Sequence, residues 1–247
     1  MQKLKLFLAI LLVAVSTCAL AFGDRDKDKD KKNSTRVVDT GSFGVFMNGK
    51  RIATEKFRIE QGPDVGTINS EIKVEDGDNK AEQTAEMQVA QNGQLRLYKW
   101  KSTVPTREES IVEPKDEFLV EHLITADQKK KDVPYILPLS TVILDDNFFS
   151  HRELLVWRYL ASGCVPKDNQ LACGPSHFGI LVPHQHMAAN TVLELLGRDK
   201  ITVKNTEREL NKISMDADGV QWLIWVDDDY KVIKMAIPSS KVEVWRD

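Results

Sequence analysis

The sequence predicts a mainly β protein, built as a single strongly curved antiparallel sheet, or unclosed barrel, with a helix packed on its concave face. Three observations support this fold class. Turn signals recur at short, fairly regular intervals, several segments between them alternate between polar and apolar residues, and one amphipathic helix interrupts the β pattern. Residues 36–247 contain no linker and no internal repeat, so we expect them to form a single β-rich domain.

The N-terminus has the features of a secretory signal peptide, predicted for residues 1–21. Two lysines precede an apolar run, and small residues stand before a cleavage site at Phe22. The run is too short for a permanent membrane span, and no later segment is long enough for one. We therefore expect a bacterial protein that is exported to the periplasm or secreted. The alternative is a lipoprotein anchored through Cys18.

The charge of the chain argues against some classes of partner. Loss of Lys3 and Lys5 with the signal peptide takes the formal charge from −3 to −5. A mildly acidic protein has no general attraction for nucleic acid, so we expect no nucleic-acid partner. Residues 22–35 alternate in charge and contain almost nothing apolar to bury, which predicts a disordered, solvated leader.

Hairpin turns are predicted at four dipeptides that pair Asn or Asp with Gly. They are Asn48-Gly49, Asp76-Gly77, Asn92-Gly93 and Asp218-Gly219. Such pairs adopt the positive φ angles that two-residue hairpin turns require. Strands are therefore expected on both sides of each turn.

Alternation assigns faces to several strands. Ala85, Met87 and Val89 should face the interior. A second alternating segment places the residues Phe118, Val120 and Ile124 on the dry face and Glu117, Glu121 and Thr125 on the wet face. The segments 220–226 and 232–237 are apolar on both faces, which predicts central strands that are covered on each side.

One helix is predicted over residues 150–162. Ser150 and Glu153 have the spacing of a capping box, and Gly163 can take the left-handed conformation that ends a helix. The body of the helix has a broad apolar arc. Because several strands already have a dry side, the helix is expected to cover the concave face of the sheet.

Cys164 and Cys173 close a short polar loop. In an oxidising compartment, two cysteines at this spacing favour a structural disulfide. The alternatives are a redox pair, which prefers a tighter spacing, and a metal site, which needs two further ligands.

Several segments resemble exported bacterial proteins of unknown function. The resemblance is carried by the opening hairpin Phe43–Ile59, by Leu137–Asn147 with the helix after it, by Leu181-Val-Pro183, by Ile237-Pro238 and by Val244-Trp-Arg246. The fold of those proteins is thought to be similar to the unclosed barrels of periplasmic lipoprotein carriers of the Lol type, in which a curved sheet wraps apolar cargo. The resemblance therefore implies an architecture, and it implies a function only by analogy.

Glu55 is the most informative candidate site residue. Alternation places it on the same side as Ala53, Phe57 and Ile59, which turns a carboxylate toward the apolar interior. It is a polar anchor in a ligand cavity or a carboxyl with a raised pKa, or else a satisfied ion pair or an edge position where the strand twists out to water. The candidate ligand-binding residues are Glu55, Phe57, His122, Trp157 and Tyr159.

The sequence Leu181–Met187 contains two histidines just after an apolar run. If the strand continued past Pro183, His184 and His186 would share a face, and His177 could complete a set of three zinc ligands. Proline usually ends a strand, however, so the preferred interpretation is a strand end without a metal.

Together these features favour a non-enzymatic binding or carrier protein for a hydrophobic or lipid-like ligand in the cell envelope, without a cofactor. One alternative is a metal-dependent hydrolase that uses His177, His184 and His186. The other is an envelope scaffolding protein that binds a protein partner and no small ligand.

Overall fold

The structure is a computed structural model, and it describes residues 34–77, 79–167 and 170–247. The predicted signal peptide, Cys18 and nearly all of the charged leader lie outside the described residues. Seventeen strands and one α-helix, α1 (Ser150–Gly163), are formed in the described part. The strands are β1 Arg36–Met47, β2 Lys50–Gln61, β3 Val65–Asp76, β4 Asn79–Ala90, β5 Leu95–Val104, β6 Glu108–Lys115, β7 Phe118–Ile124, β8 Lys130–Tyr135, β9 Val142–Ile143, β10 Cys164–Lys167, β11 Gln170–Cys173, β12 Ser176–Val182, β13 Met187–Val203, β14 Thr206–Ala217, β15 Val220–Val226, β16 Val232–Ile237 and β17 Val242–Arg246.

Fifteen of these strands form one sheet in the order β8-β7-β6-β5-β4-β3-β2-β1-β17-β16-β15-β14-β13-β12-β9. Two antiparallel meanders, β1–β8 and β12–β17, make up the sheet and meet where β1 pairs with β17, and the short edge strand β9 adds to β12 in parallel. The edge strands β8 and β9 do not pair with each other, so the barrel is not closed. The predicted fold class is therefore confirmed: the protein is mainly β, with one large curved sheet and a helix.

The helix and both meanders share one hydrophobic core. Phe43, Tyr98, Leu155, Leu193 and Ile224 are all fully buried members of it, although they come from distant parts of the chain. Register shifts in four strand pairs mark bulges or irregularities that increase local twist and bend the sheet around α1. The helix is thus packed on the concave face.

Two of the four predicted turns, Asn48-Gly49 and Asp218-Gly219, have the expected two-residue geometry. At the other two only the glycines, Gly77 and Gly93, have positive φ angles (61° and 77°), because Asp76 still belongs to β3 and Asn92 lies in a longer connection between β4 and β5. Asn48 and Gly49 have φ angles of 49° and 79°, and Asp218 and Gly219 have 52° and 77°. Both central residues of each turn therefore lie in the left-handed region, which suits a tight hairpin. The β13–β14 turn, at Lys204-Asn205, has the same conformation without a glycine, and the sequence did not predict it.

The C-terminal strands β15 and β16 are covered on both faces as predicted, except at the start of β15, where Val220 and Gln221 are exposed. Their outer face carries a second, smaller core that includes Leu210, Trp225 and Ile233. Lys234 lies over the rings of Trp225 and Trp245, at 5.2 and 4.3 Å from the ring centroids. Side chains of the sheet itself, and the aliphatic part of a lysine, cover this face.

The predicted faces of β7 are wrong. Glu121 is fully buried, because it pairs with buried Val112 of β6 and points into the concave side. His122 therefore points to the outer face, with 40% of its side chain exposed. Alternation was detected correctly, but the carboxylate was assigned to solvent because the sequence shows none of the groups that satisfy it.

The helix forms where it was predicted, but the predicted capping arrangement at each end differs from the structure. The residue before α1 is Phe149, which makes no side-chain capping bond, and Glu153 does not close a capping box. At the other end, the chain leaves the helix through Cys164 in an extended conformation. Gly163 allows close packing instead of a left-handed turn, since a Cβ there would lie 2.4 Å from the Ser176 hydroxyl oxygen.

The cysteine pair forms the predicted disulfide. Cys164 and Cys173 face each other in the β10–β11 hairpin that follows the helix, and their sulfur atoms are bonded. The bridge ties the end of α1 to the start of β12. No helix in the described part of the chain combines the length and apolar character needed to cross a bilayer.

Candidate functional site

A buried carboxylate from β2 caps the start of the helix. Glu55 is fully buried, and its Oε2 accepts a hydrogen bond of 2.7 Å from the Phe149 backbone N–H. The Ser150 hydroxyl donates to Glu55 Oε1, also at 2.7 Å, and lies 2.7 Å from the Ser70 hydroxyl. A carboxylate at this position satisfies the free N–H groups of the first turn and interacts favourably with the helix dipole.

Burial dominates the electrostatics of Glu55. It raises the pKa of the carboxyl from its ordinary value of 4.5 to about 7, although hydrogen bonds from Ser150 and Phe149 act in the opposite direction. The interior orientation predicted from alternation therefore holds, with a raised pKa. The hydrogen bonds of Glu55 go to the start of α1, so this side chain fixes the position of the helix against the sheet.

An arginine from β17 holds the helix where the two meanders meet. Arg246 donates to Asp39 Oδ2 at 2.6 Å and to Glu153 Oε2 at 2.9 Å. Its guanidinium also donates to the Val232 backbone oxygen at 2.6 Å. Burial raises the pKa of Glu153 well above its usual range, whereas at Asp39 burial is outweighed by hydrogen bonds from Arg246 and others, which lower the pKa.

A third polar group surrounds Glu121 of β7, near the β8 edge of the sheet. Ser110 and the Tyr135 hydroxyl donate to its two oxygens at 2.6 and 2.7 Å. His186 Nδ1 lies 3.0 Å from Glu121 Oε2. The residues Ser110, Glu121 and His186 line a hollow of about 210 Å³.

A larger hollow lies between the helix and the sheet. It has a volume of about 630 Å³, within the range of roughly 300–1,000 Å³ that is typical of small-molecule sites. The described residues that line it are Gln61, Met87, Val89, Ala90, Gln91, Asn92, Gly93, Leu95, Thr141, Val142, Ile143, Leu154, Trp157, Arg158, Ala161 and Ser162. This list is mostly apolar, and it combines the ends of β4 and β5, β9 and one face of α1.

Helical spacing explains which part of α1 faces the hollow. Leu154, Trp157, Arg158 and Ala161 follow the i, i+3, i+4, i+7 pattern of one helix face. Arg158 is not among the predicted site residues, because the apolar members of the helix do not reveal it, although its spacing from Leu154 and Ala161 places it on the same face. The identities of the facing strands were not available from local patterns.

Two further hollows have a different character. One of about 370 Å³ flanks the other side of the helix, between Phe149, Arg152 and Trp222. The charged residue in its wall, Arg152, has a carboxylate partner, because its guanidinium lies 3.5 Å from Asp146 Oδ1. The other, of about 580 Å³, is an open groove on the outer face of β2–β6, where lysines and glutamates alternate.

The predicted ligand-binding residues are dispersed. Trp157 lines the 630 Å³ hollow, and its Nε1 donates to the Tyr230 backbone oxygen at 2.7 Å. Tyr159 is fully buried and bonds Gly174 and Leu195, which fixes the end of the helix. Phe57 stacks on the ring of Phe43, with centroids 4.9 Å apart.

His122 lies apart from these interior residues. On the outer face of β7, its Nδ1 is 2.8 Å from Asp132 Oδ1 and its Nε2 is 3.4 Å from Glu113 Oε1. The hydrogen bond with Asp132 raises the pKa of its imidazole. It is therefore in no position to act as the interior polar anchor that was predicted.

The histidine-rich segment forms a strand end, as preferred above. β12 ends at Val182, Pro183 begins a short 3₁₀ turn, and His186 closes it with a φ angle of 48°. After Ile237, Pro238 begins a second 3₁₀ turn of the same kind, which ends at Lys241 with a φ angle of 53°. The pattern of proline followed three residues later by a left-handed residue thus makes the same turn twice.

His177 and His186 do not converge on a common metal position, and the side chain of His184 lies outside the described part of the structure. His177 pairs with Val192 near the start of β12, five residues before the strand ends at Val182. At about 3.3 Å per residue, its backbone is therefore roughly 15 Å from the turn that holds His186. Within the described ranges, no group of three His, Cys, Asp or Glu residues is arranged to hold a metal ion.

Comparisons with known proteins show the fold alone. No family model and no curated protein matches the chain. Among solved structures, the chain is similar to a β-barrel-like protein from Brucella abortus, with a domain of unknown function, DUF1849. The TM-score is 0.50 at 8% sequence identity, and the match covers 84% of this chain and 94% of that chain. This similarity agrees with the mainly β, barrel-like architecture, and the likeness to Lol-type carriers stays a prediction.

Proposed function

We propose that this protein is a non-enzymatic binding or carrier protein for a hydrophobic or lipid-like ligand. The observation that carries this proposal is the 630 Å³ hollow between α1 and the sheet. Because Asn92, Ala161 and Ser162 in its wall are exposed, the hollow is open to water, and an apolar chain that displaced this water would be favoured by burial against the apolar part of the wall. We further propose, from the signal-like N-terminus, that the protein acts in the cell envelope.

The wall of the hollow suits an apolar chain. Val89, Leu154 and Trp157 are partly exposed there, so their apolar surface is open to contact with a ligand. Each methylene group transferred from water to such a wall contributes about 0.8 kcal/mol. Affinity would therefore increase with chain length until the hollow is full.

The test is binding of a neutral amphiphile. Hexadecanol with a brominated chain is titrated into the protein at concentrations where it is monomeric, and tryptophan fluorescence is recorded. Bromine quenches tryptophan on contact, and Trp157 lies in the wall of the hollow. We expect saturable quenching that is lost largely in the Trp157→Phe variant.

A filled hollow provides the control. Ala161→Phe places a ring in the hollow, whereas Ala188→Phe makes the same change at an exposed position of β13 outside its lining. The first variant should lose binding and the second should retain it. Equal binding by both variants, or no saturable quenching in the parent protein, would contradict the proposed function.

A further inference from the structure

The wall of the 630 Å³ hollow contains one charged group. Among the lining residues that the structure describes, Arg158 is the only one with an ionisable side chain. It is half-buried, and its guanidinium Nη1 donates to the Gly93 backbone oxygen at 3.3 Å. Its guanidinium carbon lies 5.7 Å from the centre of the Phe178 ring. Since a guanidinium has five N–H donors, this geometry leaves donors for a ligand.

Arg158 differs from the other buried arginines of the protein. Arg246 forms ion pairs with two carboxylates, and Arg152 lies beside Asp146. Burial lowers the pKa of the Arg158 guanidinium, and no carboxylate in the described part of the chain opposes that effect. A cation that is removed from water without a counter-charge gains most from an anionic ligand.

The hollow also has a polar end and an apolar end. Gln91, Asn92 and Ser162 are exposed at the side where Arg158 meets the β4–β5 turn. Much of the remaining wall, by contrast, is apolar, with Val89 of β4 and Leu154 and Trp157 of α1 partly exposed in it. An amphiphile would therefore enter with its chain inward and its head group at Arg158.

Building on the proposed function, we propose that Arg158 binds the anionic head of a single-chain amphiphile whose acyl chain fills the hollow, as in a fatty acid. A carboxylate accepts two parallel N–H bonds from a guanidinium, which fixes its orientation as well as its charge. The ligand class is thereby narrowed from hydrophobic molecules in general to acids with one apolar chain.

The inference is tested with three ligands that share one chain and differ in the head. Palmitate, hexadecanol and hexadecyltrimethylammonium are titrated into the protein below the concentrations at which they form micelles, and dissociation constants are measured by tryptophan fluorescence. We expect palmitate to bind about tenfold to a hundredfold more tightly than hexadecanol, the effect of hydrogen bonds to a charged group. The ammonium compound should bind most weakly.

Variants then assign this preference to one residue. Arg158→Gln should remove the preference for palmitate and leave hexadecanol binding unchanged, while Arg158→Lys should retain most of it. Arg208→Gln makes the same change in charge on β14, outside the hollow, and should behave as the parent protein. Because the ligand series is measured on the parent protein, the inference stays testable even if Arg158→Gln does not fold.

The outcomes separate the two proposals. If palmitate and hexadecanol bind the parent protein equally, if the ammonium compound binds best, or if Arg158→Gln weakens both ligands alike, Arg158 is not the head-group site and the proposed function stands. If none of the three ligands binds, the proposed function is wrong, and the assignment of Arg158 is wrong with it.

Discussion

The raised pKa of Glu55 predicts that stability falls as the pH rises from 4.5 to 7. Below pH 4.5 this carboxyl is protonated in both the folded and the unfolded chain. Between the two values the unfolded chain releases the proton while the folded protein retains it, so unfolding becomes more favourable. With a folded pKa of about 7 against an ordinary value of 4.5, the loss amounts to about 3 kcal/mol, and it is constant above pH 7.

The Glu55→Gln variant isolates this effect. A glutamine oxygen can still accept from Phe149, and its amide can donate to the Ser150 hydroxyl, but the side chain cannot ionise. Free energies of unfolding are measured by urea titration with tryptophan fluorescence at several pH values between 4.5 and 8. The parent protein should lose about 3 kcal/mol relative to the variant between pH 4.5 and 7, because all other groups titrate in both proteins.

A second carboxylate provides a control of opposite sign. A hydrogen bond from Lys101 lowers the pKa of Glu109, so its contribution is present at high pH and is lost as the pH falls through the folded pKa. Because that change lies below its ordinary pKa of 4.5, Glu109→Gln should follow the parent protein over the measured range, apart from a small difference of opposite sign at the acid end. If the parent protein and Glu55→Gln lose stability in parallel over this range, the pKa of Glu55 is not raised by burial and the reasoning is refuted.

Three further predictions concern the frame of the site, each checked by urea unfolding. Arg246→Met leaves the carboxyl groups of Asp39 and Glu153 buried without their shared cation, and should lower the free energy of unfolding by about 3 to 5 kcal/mol. A loss below about 1 kcal/mol would show that the cluster is hydrated. Replacing Cys164 and Cys173 by serine should cost roughly 2.5 to 3 kcal/mol through loop entropy, with no added effect of reductant. Gly163→Ala should cost about 1 to 3 kcal/mol, because its Cβ would contact the Ser176 hydroxyl, and Ser176→Gly should restore part of the loss.

Local chemistry made the meanders predictable. The Asn48-Gly49 and Asp218-Gly219 turns carry their conformation in two residues, and each one fixes an antiparallel pair of strands. Alternation in the neighbouring strands then identifies the dry face, as for Ala85 and Met87. The fold class follows from such features, because they act within a hairpin and do not depend on distant residues.

The buried polar clusters could not be predicted, because their hydrogen-bond partners are far apart in the sequence. Glu121 was assigned to solvent because the groups that satisfy it, Ser110, Tyr135 and His186, are spread over the chain. The capping box failed for the same reason, since Glu55 takes the place of a local cap on a helix that begins 95 residues later. A charged side chain shows its partner only once the strands have been paired.

Directional contacts explain how an apolar hollow can persist beside the helix. Hydrophobic contact alone has no preferred direction, and it would draw Leu154 and Trp157 of α1 onto the facing strands. The helix is instead held at its start by Glu55, one turn later by Arg246 through Glu153, and near its end by the Tyr159 hydroxyl, each at hydrogen-bond distance. Movement of the helix into the hollow would break these buried hydrogen bonds. A buried polar group that loses its partner costs more free energy than the formed hydrogen bond contributes. The buried ionic groups therefore maintain the space in which the proposed ligand binds.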